Sequence, residues 1–366
     1  MALYVGLMSG TSLDGVDGVL LEVATDGTLR RRGHNHEPFV SGLRDELLAL
    51  NSAGSDELHR AAVAGQGVAR AYASVVTGLL YESSTTAREV RAIGAHGQTV
   101  RHRPDAGYTL QLLDGALLAE LTGIDVVCDL RSRDIAAGGQ GAPLAPAFHA
   151  AVFGDRTQVR AVLNLGGISN LTLLAPAQPV IGFDCGPANA LLDAWCLRHL
   201  GQPFDVDGQW AAAGQVQPAL LGALLAERYF DIAPPKSTGR DLFHLAWLDA
   251  RLALAPALPP ADVQATLAAL TVESVASAIE RHAASTAALF VCGGGARNGH
   301  LMRSLAQRLP RLRVTTTDEL GVPVDQVEGA AFAWLAHRFL ERLPGNLAEV
   351  TGARGSRRLG ALYPAQ

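Results

Sequence analysis

The sequence predicts an α/β chain made of two related halves with a cleft between them. A chain of 366 residues is longer than one hydrophobic core usually supports. Hydrophobic residues make up 48% and charged residues 18%, which supplies apolar material for two cores and gives no ground for disorder. A strand–turn–strand unit at the start of the chain recurs in its middle, and each copy is followed by alternating helical and strand-like segments.

The first unit reads as a strand over 4–8, a turn of small polar residues over 9–15 and a strand over 18–23. Short apolar runs at Ala92-Ile93 and 125–128 predict two further strands. The Gly/Pro-rich stretch Ala136 to Pro146 is the expected hinge between the halves. The recurring unit is a strand over 161–164, a turn over 165–170 and a strand over 171–174. Val180-Ile181-Gly182-Phe183 forms a short apolar strand, 211–226 an Ala/Leu-rich helix, 255–260 a Pro-rich loop and 288–292 a buried strand. The last helix, Val327 to Arg342, carries Ala, Phe, Trp and Leu on its apolar face, with its end returning toward the first domain. These boundaries predict a first domain of 1–135 completed by 343–366, and a second of 136–342.

Composition excludes several classes of function. The net charge of -5 arises from interspersed acids and bases, and no Lys/Arg run forms a phosphate-tracking stripe, so no nucleic-acid partner is expected. No apolar run approaches the ~20 residues needed to cross a bilayer, so no membrane partner is expected either. The opening residues lack a basic leader or cleavage-like site, and the cytoplasm is the expected compartment. Cys128, Cys185, Cys196 and Cys292 are scattered without metal-ligand spacing and read as reduced, mostly buried thiols, with no protein-held metal site expected.

Four segments could carry chemistry. Gly6-Leu7-Met8-Ser9-Gly10-Thr11-Ser12-Leu13-Asp14-Gly15 can aim backbone N–H groups and hydroxyls at phosphate oxygens, or can simply be a tight hairpin. It lacks the lysine and following helix of a Walker A loop. The turn at Gly166-Gly167 favours the phosphate reading, since two such turns can grip a polyphosphate from both sides. Asp184 lies at the carboxyl end of an apolar strand, where α/β sheets place ligands, and can take a proton from an attacking hydroxyl or water; it could also cap the following helix. Phe290 to Gly299 partly imitates a dinucleotide fingerprint with Asp318 and Glu319 near the ribose-acid distance. However, Asn298 replaces the third glycine, and the same geometry can hold an adenosine.

Three polar clusters are less decided. His96 and Gln98 follow a short strand. Arg131 could grip a substrate carboxylate bidentately or pair with Asp129 or Asp134. The loop 234–241 reads as a solvated turn, and Glu328 as facing the cleft or favouring its helix N-terminus.

Taken together, Gly6 to Asp17, His96-Gly97-Gln98-Thr99-Val100, the stretch RSRDIAAGGQGAP over 131–143, Asn164 to Asn170, Phe183 to Asn189 and Pro235 to Asp241 closely resemble the anhydro-N-acetylmuramic acid kinases, in order and along the whole chain. The resemblance implies two ribonuclease-H-like domains of the actin/hexokinase type around an ATP cleft. It also implies a kinase that opens the 1,6-anhydro ring with water while phosphorylating O6, in peptidoglycan recycling, with ATP and Mg2+ and commonly as a homodimer. Carried over by position, Gly10, Thr11, Ser12, Leu13, Asp14, Gly15, Val16 and Asp17 form the phosphate loop, with Gly166 and Gly167 as its counterpart. Asp184 is the catalytic base. Gly293, Gly294, Gly295 and Asn298 hold the adenosine, and His96, Gln98, Arg131 and Glu328 lie on the sugar side. Cys185, Ala188, Leu130 and Arg228 depart from the family pattern without removing a charged or nucleophilic group. A plain hexose kinase, a nucleotide-gated binding module and an NAD site remain as alternatives.

Overall fold

Two sheets with the same strand order organise the chain, one in each of two compact units, Met1–Val152 with Gln326–Gln366 and Phe153–Asp325. The computed structural model describes residues 1–10, 13–239, 241–254 and 256–365. In the first unit, β1 (Ala2–Met8), β2 (Gly15–Val23) and β3 (Leu29–Pro38) form an antiparallel meander, and β4 (Val90–Ala95) runs parallel to β1. A separate hairpin of β5 (Gln98–Arg103) and β6 (Tyr108–Leu112) follows, and β7 (Val126–Cys128) then joins the main sheet parallel to β4. The strand Ala361–Tyr363 closes that edge, antiparallel to β7.

The sequence dictates why this sheet is covered on both faces. β2 is apolar along nearly its whole length, the pattern of a strand buried on two sides. The long helix Glu57–Glu82 lies on one face: a Cβ on Gly18 would fall 2.4 Å from Val75 Cγ1. The helix Val327–Leu340 lies on the other, so close that a Cβ on Gly6 would fall 1.9 Å from the carbonyl oxygen of Gly329, and one on Gly94 2.0 Å from that of Phe332. Only glycine admits a helix backbone at that distance.

The second unit repeats the plan. β8 (Arg160–Leu165), β9 (Ile168–Leu174) and β10 (Ile181–Pro187) form the meander, β11 (Ala288–Cys292) runs parallel to β8, and β12 (Arg313–Thr316) is parallel to β11. The order third–second–first–fourth–fifth, with three antiparallel strands and two parallel ones, is the ribonuclease-H-like arrangement in both units. The second core gathers Leu163, Phe183, Trp195, Leu267, Val275 and Val291 beneath the helix Pro260–His282.

The structure corrects four expectations. The last helix belongs wholly to the first unit, because Gly6 and Gly94 seat it there, so the chain crosses at 325/326 rather than 342/343. The stretch 136–146 is no hinge: Gln140 N–H bonds the Thr351 carbonyl at 2.8 Å and Arg354 N–H that of Ala137 at 2.9 Å, and the first crossing comes at 152/153. Residues 211–226 form two helices, Gln209–Ala213 and Pro218–Leu225, broken where Gly214 lies against the backbone of Ala261. β2 begins at Gly15, so Gly15, Val16 and Asp17 are strand residues. All four cysteines are free and buried, and among the described residues no helix is long and apolar enough to cross a membrane.

Gly6→Ala should therefore destabilise the protein by about 3 kcal/mol or more, since backbone on both sides must move. Gly42→Ala, in an exposed helix with open space around it, should stabilise by up to about 1 kcal/mol. Urea unfolding of the pair checks the sign of both.

Candidate active site

In the first unit the turn after β1 is anchored from beneath. Ser9, 1% exposed, donates through Oγ to the Gly97 carbonyl at 3.2 Å and lies 2.9 Å from the Tyr72 hydroxyl. Gln98 Nε2 donates to the Gly10 carbonyl at 3.1 Å, while its buried Oε1 has no hydrogen-bond partner among the described residues, a combination that suits an incoming donor. Leu13 is buried with φ at +57°, a left-handed conformation that costs a branched side chain energy and marks a constrained turn. Asp14 is exposed at the same turn, whereas Asp17 faces His34 Nε2 at 3.3 Å and His36 Nδ1 at 3.1 Å. Thr11 and Ser12 lie outside the described residues.

His96 and Arg131 come together on this unit. His96 Nδ1 lies 3.3 Å from the Ser9 carbonyl, which only accepts, so Nδ1 carries the proton. Nε2 then accepts from Arg131 Nε at 3.1 Å and Nη2 at 3.0 Å. Burial and the Arg131 charge hold His96 down at about 3, so its imidazole stays neutral. Arg131 Nη1 donates to the Gly141 carbonyl at 2.8 Å; burial brings the guanidinium down to about 10 against the opposing pull of Glu328 and Asp134. Glu328 is exposed in the first turn of the helix Val327–Leu340, within electrostatic reach of Arg131. The pairing of Arg131 with Asp129 or Asp134 considered from sequence is thus replaced by one with a histidine and a carbonyl.

In the second unit Asp184 lies within β10, partly buried, where the register with β9 shifts. Its Oδ2 accepts from Ser237 Oγ at 3.0 Å and from Thr238 N–H at 2.9 Å. Its main chain is held too: its N–H bonds the Lys236 carbonyl at 3.2 Å, and its carbonyl accepts from the Tyr229 hydroxyl at 2.7 Å. Lys236 Nζ sits 4.5 Å from the Tyr229 ring centroid and bonds the Tyr229 carbonyl at 3.1 Å. Burial raises the Asp184 carboxyl above the usual range, with the Thr238 and Ser237 bonds and the Lys236 charge pulling the other way. The following helix, Asn189–Leu200, has Ala188 at its cap, so Asp184 is not its N-cap. Ser237 and Thr238 of the loop expected to be a solvated turn therefore clamp this carboxylate, although Ser237 itself is exposed, and no local sequence pattern announces the contact.

The glycine clusters of this unit also meet. The Gly166 and Gly167 carbonyls accept from the N–H groups of Asn189, and of Ala188 and Ala190. Gly293 takes φ +80° and stands against the Leu165 backbone, and a Cβ on Gly295 would lie 2.6 Å from Leu165 Cβ. Gly294 flanks Asn189, with room for a Cβ 3.8 Å from its Nδ2. Asn298 caps the helix Gly299–Arg308, its Oδ1 accepting from Leu301 N–H at 3.1 Å. Of the two acids that an NAD reading considers, Asp318 and Glu319, the second is engaged by Arg313 and Thr315. Among the described residues no group of three or more His, Cys, Asp or Glu is gathered for a metal ion.

Comparison with known proteins places these sites in context. The family model for anhydro-N-acetylmuramic acid kinase matches residues 2–365. Proteins of that name from Cupriavidus pinatubonensis and Bordetella petrii are 58% identical over 368 residues and 60% over 366, each covering 99% of this chain, and 98% and 96% of the respective relative. Among solved structures, component A of the (R)-2-hydroxyglutaryl-CoA dehydratase of Acidaminococcus fermentans is 12% identical, covering 91% of this chain and 96% of that one with a TM-score of 0.49. A ROK family glucokinase from Streptomyces griseus in complex with glucose and AMPPNP is 16% identical, covering 92% and 100%, with a TM-score of 0.44. With identity this high over nearly the full length of both chains, and the family model spanning the same range, the chain belongs to the anhydro-N-acetylmuramic acid kinase family.

Proposed function

We propose that this chain is an ATP-dependent kinase acting on 1,6-anhydro-N-acetylmuramic acid in peptidoglycan recycling. Asp184 takes a proton from water as its oxygen bonds to C1 of the sugar. The C1–O6 bond breaks, O6 bonds to the γ-phosphorus, and the bond to the β,γ-bridging oxygen breaks, leaving N-acetylmuramic acid 6-phosphate and ADP. The proton leaves Asp184 for solvent after transfer.

The observation that carries this reading is the state of Asp184. Both donors from 237–238 fall on Oδ2, so that among the described residues Oδ1 is the oxygen open to take the proton, and burial makes the carboxylate a stronger acceptor than a solvated one. The second unit supplies the base, the phosphate turn Gly166-Gly167 and, at Gly293 to Gly295, the wall for the adenosine. The first supplies the phosphate loop Gly10 to Asp17 and the sugar side, where Gln98, Arg131 and Glu328 act directly. His96, with both ring nitrogens engaged, acts by holding Arg131. With five N–H groups in a planar fork, Arg131 is suited to meet a substrate carboxylate in addition to His96 and the Gly141 carbonyl. Mg2+ would enter with the nucleotide and offset the charge of its phosphates. A cytoplasmic homodimer completes the reading, and sedimentation of the purified chain tests its oligomeric state.

Asp184→Asn should lower kcat roughly a hundredfold or more with nucleotide affinity nearly unchanged. Reaction in 18O-water should place one labelled oxygen at C1; unlabelled product would instead mark a plain hexose kinase. Ser237→Ala removes a bond that stabilises the charged Asp184, so its pKa rises further and the acid limb of the kcat profile moves to higher pH. An unmoved limb would mean that another group titrates there.

A further inference from the structure

Asp134 is wholly buried in the first unit, yet its carboxylate is satisfied by neutral donors. Oδ1 accepts from Asn346 Nδ2 at 2.6 Å and Thr351 Oγ1 at 2.7 Å, and Oδ2 from Gly141 N–H at 2.8 Å. The Asp134 carbonyl accepts from Gly139 N–H at 2.9 Å, and Gly139 has no room for a side chain, since a Cβ there would lie 2.2 Å from Oδ2. Asn346 is itself fixed, its Oδ1 accepting from Arg357 N–H at 2.6 Å. Gly141 is thus gripped on both sides, by Asp134 at its N–H and by Arg131 at its carbonyl.

A buried carboxylate is a poor device for stability alone. Its desolvation costs several kcal/mol, and apolar residues of similar volume often serve a core as well or better. What it does well is specify one arrangement, because each donor must point at it. Here the arrangement fixed is that of the backbone at Gly141, whose carbonyl is one of the two partners that orient the Arg131 guanidinium; His96 is the other.

We propose that Asp134, with Asn346 and Thr351 of the C-terminal segment, is a positioning residue for Arg131, holding the Gly141 carbonyl so that the guanidinium meets the sugar in one orientation. This rests on the reading of Arg131 as a sugar ligand. The C-terminal segment thereby sets sugar affinity without touching sugar, and nucleotide affinity, carried by other residues, is left alone.

The test uses the full-length enzyme. Thr351→Val is nearly isosteric and removes one donor from Oδ1; it should raise the KM for the anhydro-sugar about fivefold, with the KM for ATP and kcat within about twofold. Thr351→Ser should restore the wild-type value. Asp134→Asn should act in the same direction and more strongly; if it does not fold, Thr351→Val decides. In a double-mutant cycle scored by calorimetric sugar affinity, Thr351→Val should weaken binding no further once Arg131 is replaced by Ala. An unchanged sugar KM in a folded Thr351→Val enzyme, or additive losses in the cycle, overturns the proposal. Arg131→Ala with wild-type sugar affinity removes the Arg131 reading itself, whereas an Arg131 effect without a Thr351 effect removes this inference alone.

Discussion

The contact of glycine backbone with helix backbone at Gly6 and Gly94 governs the first unit. Neither position can carry even a methyl group, because the carbonyls of Gly329 and Phe332 stand about where a Cβ would be. With that clearance the helix Val327–Leu340 lies flat on the sheet, its Ala330, Ala333 and Ala336 buried. Small residues on both sides turn ordinary packing into near-contact of backbones, where a methylene of error is felt. The same seat determines where the last helix begins, and so brings Glu328, in its first turn, within reach of Arg131. A backbone sheet–helix contact thus bears on the electrostatics around Arg131.

Local signals were readable to different depths. The two hairpins were legible because alternation and turn residues act over a few positions, and Asp184 stood out as an acid after an apolar run, although the strand continues past it to Pro187 instead of ending there. The start of the second strand is hard to place from sequence because Gly15 and Asp17 are small or polar, yet pairing with Pro38, Glu37 and His36 makes 15–17 strand. The glycines and prolines of 136–146 signalled a hinge. Their partners, Thr351 and Arg354, lie more than two hundred residues away in sequence, so no local pattern could report that this stretch is pinned. Ser237 and Thr238 present the same difficulty at shorter range, since their bonds to Asp184 span a turn and helices whose path only the fold reveals.

Burial acts on the two acid–base groups in opposite functional directions. In both it disfavours the charged form. For His96 that form is the protonated one, so the ring is held neutral and its Nε2 lone pair is committed to Arg131. For Asp184 it is the carboxylate, so the proton affinity rises while Ser237, Thr238 and Lys236 keep the charged state reachable. A neutral histidine whose one acceptor nitrogen is engaged has no free lone pair to receive a proton, so His96 is poorly placed to act as a base. The surroundings of Asp184 raise its proton affinity without fixing the proton on it, which is what the proposed role of this carboxylate requires.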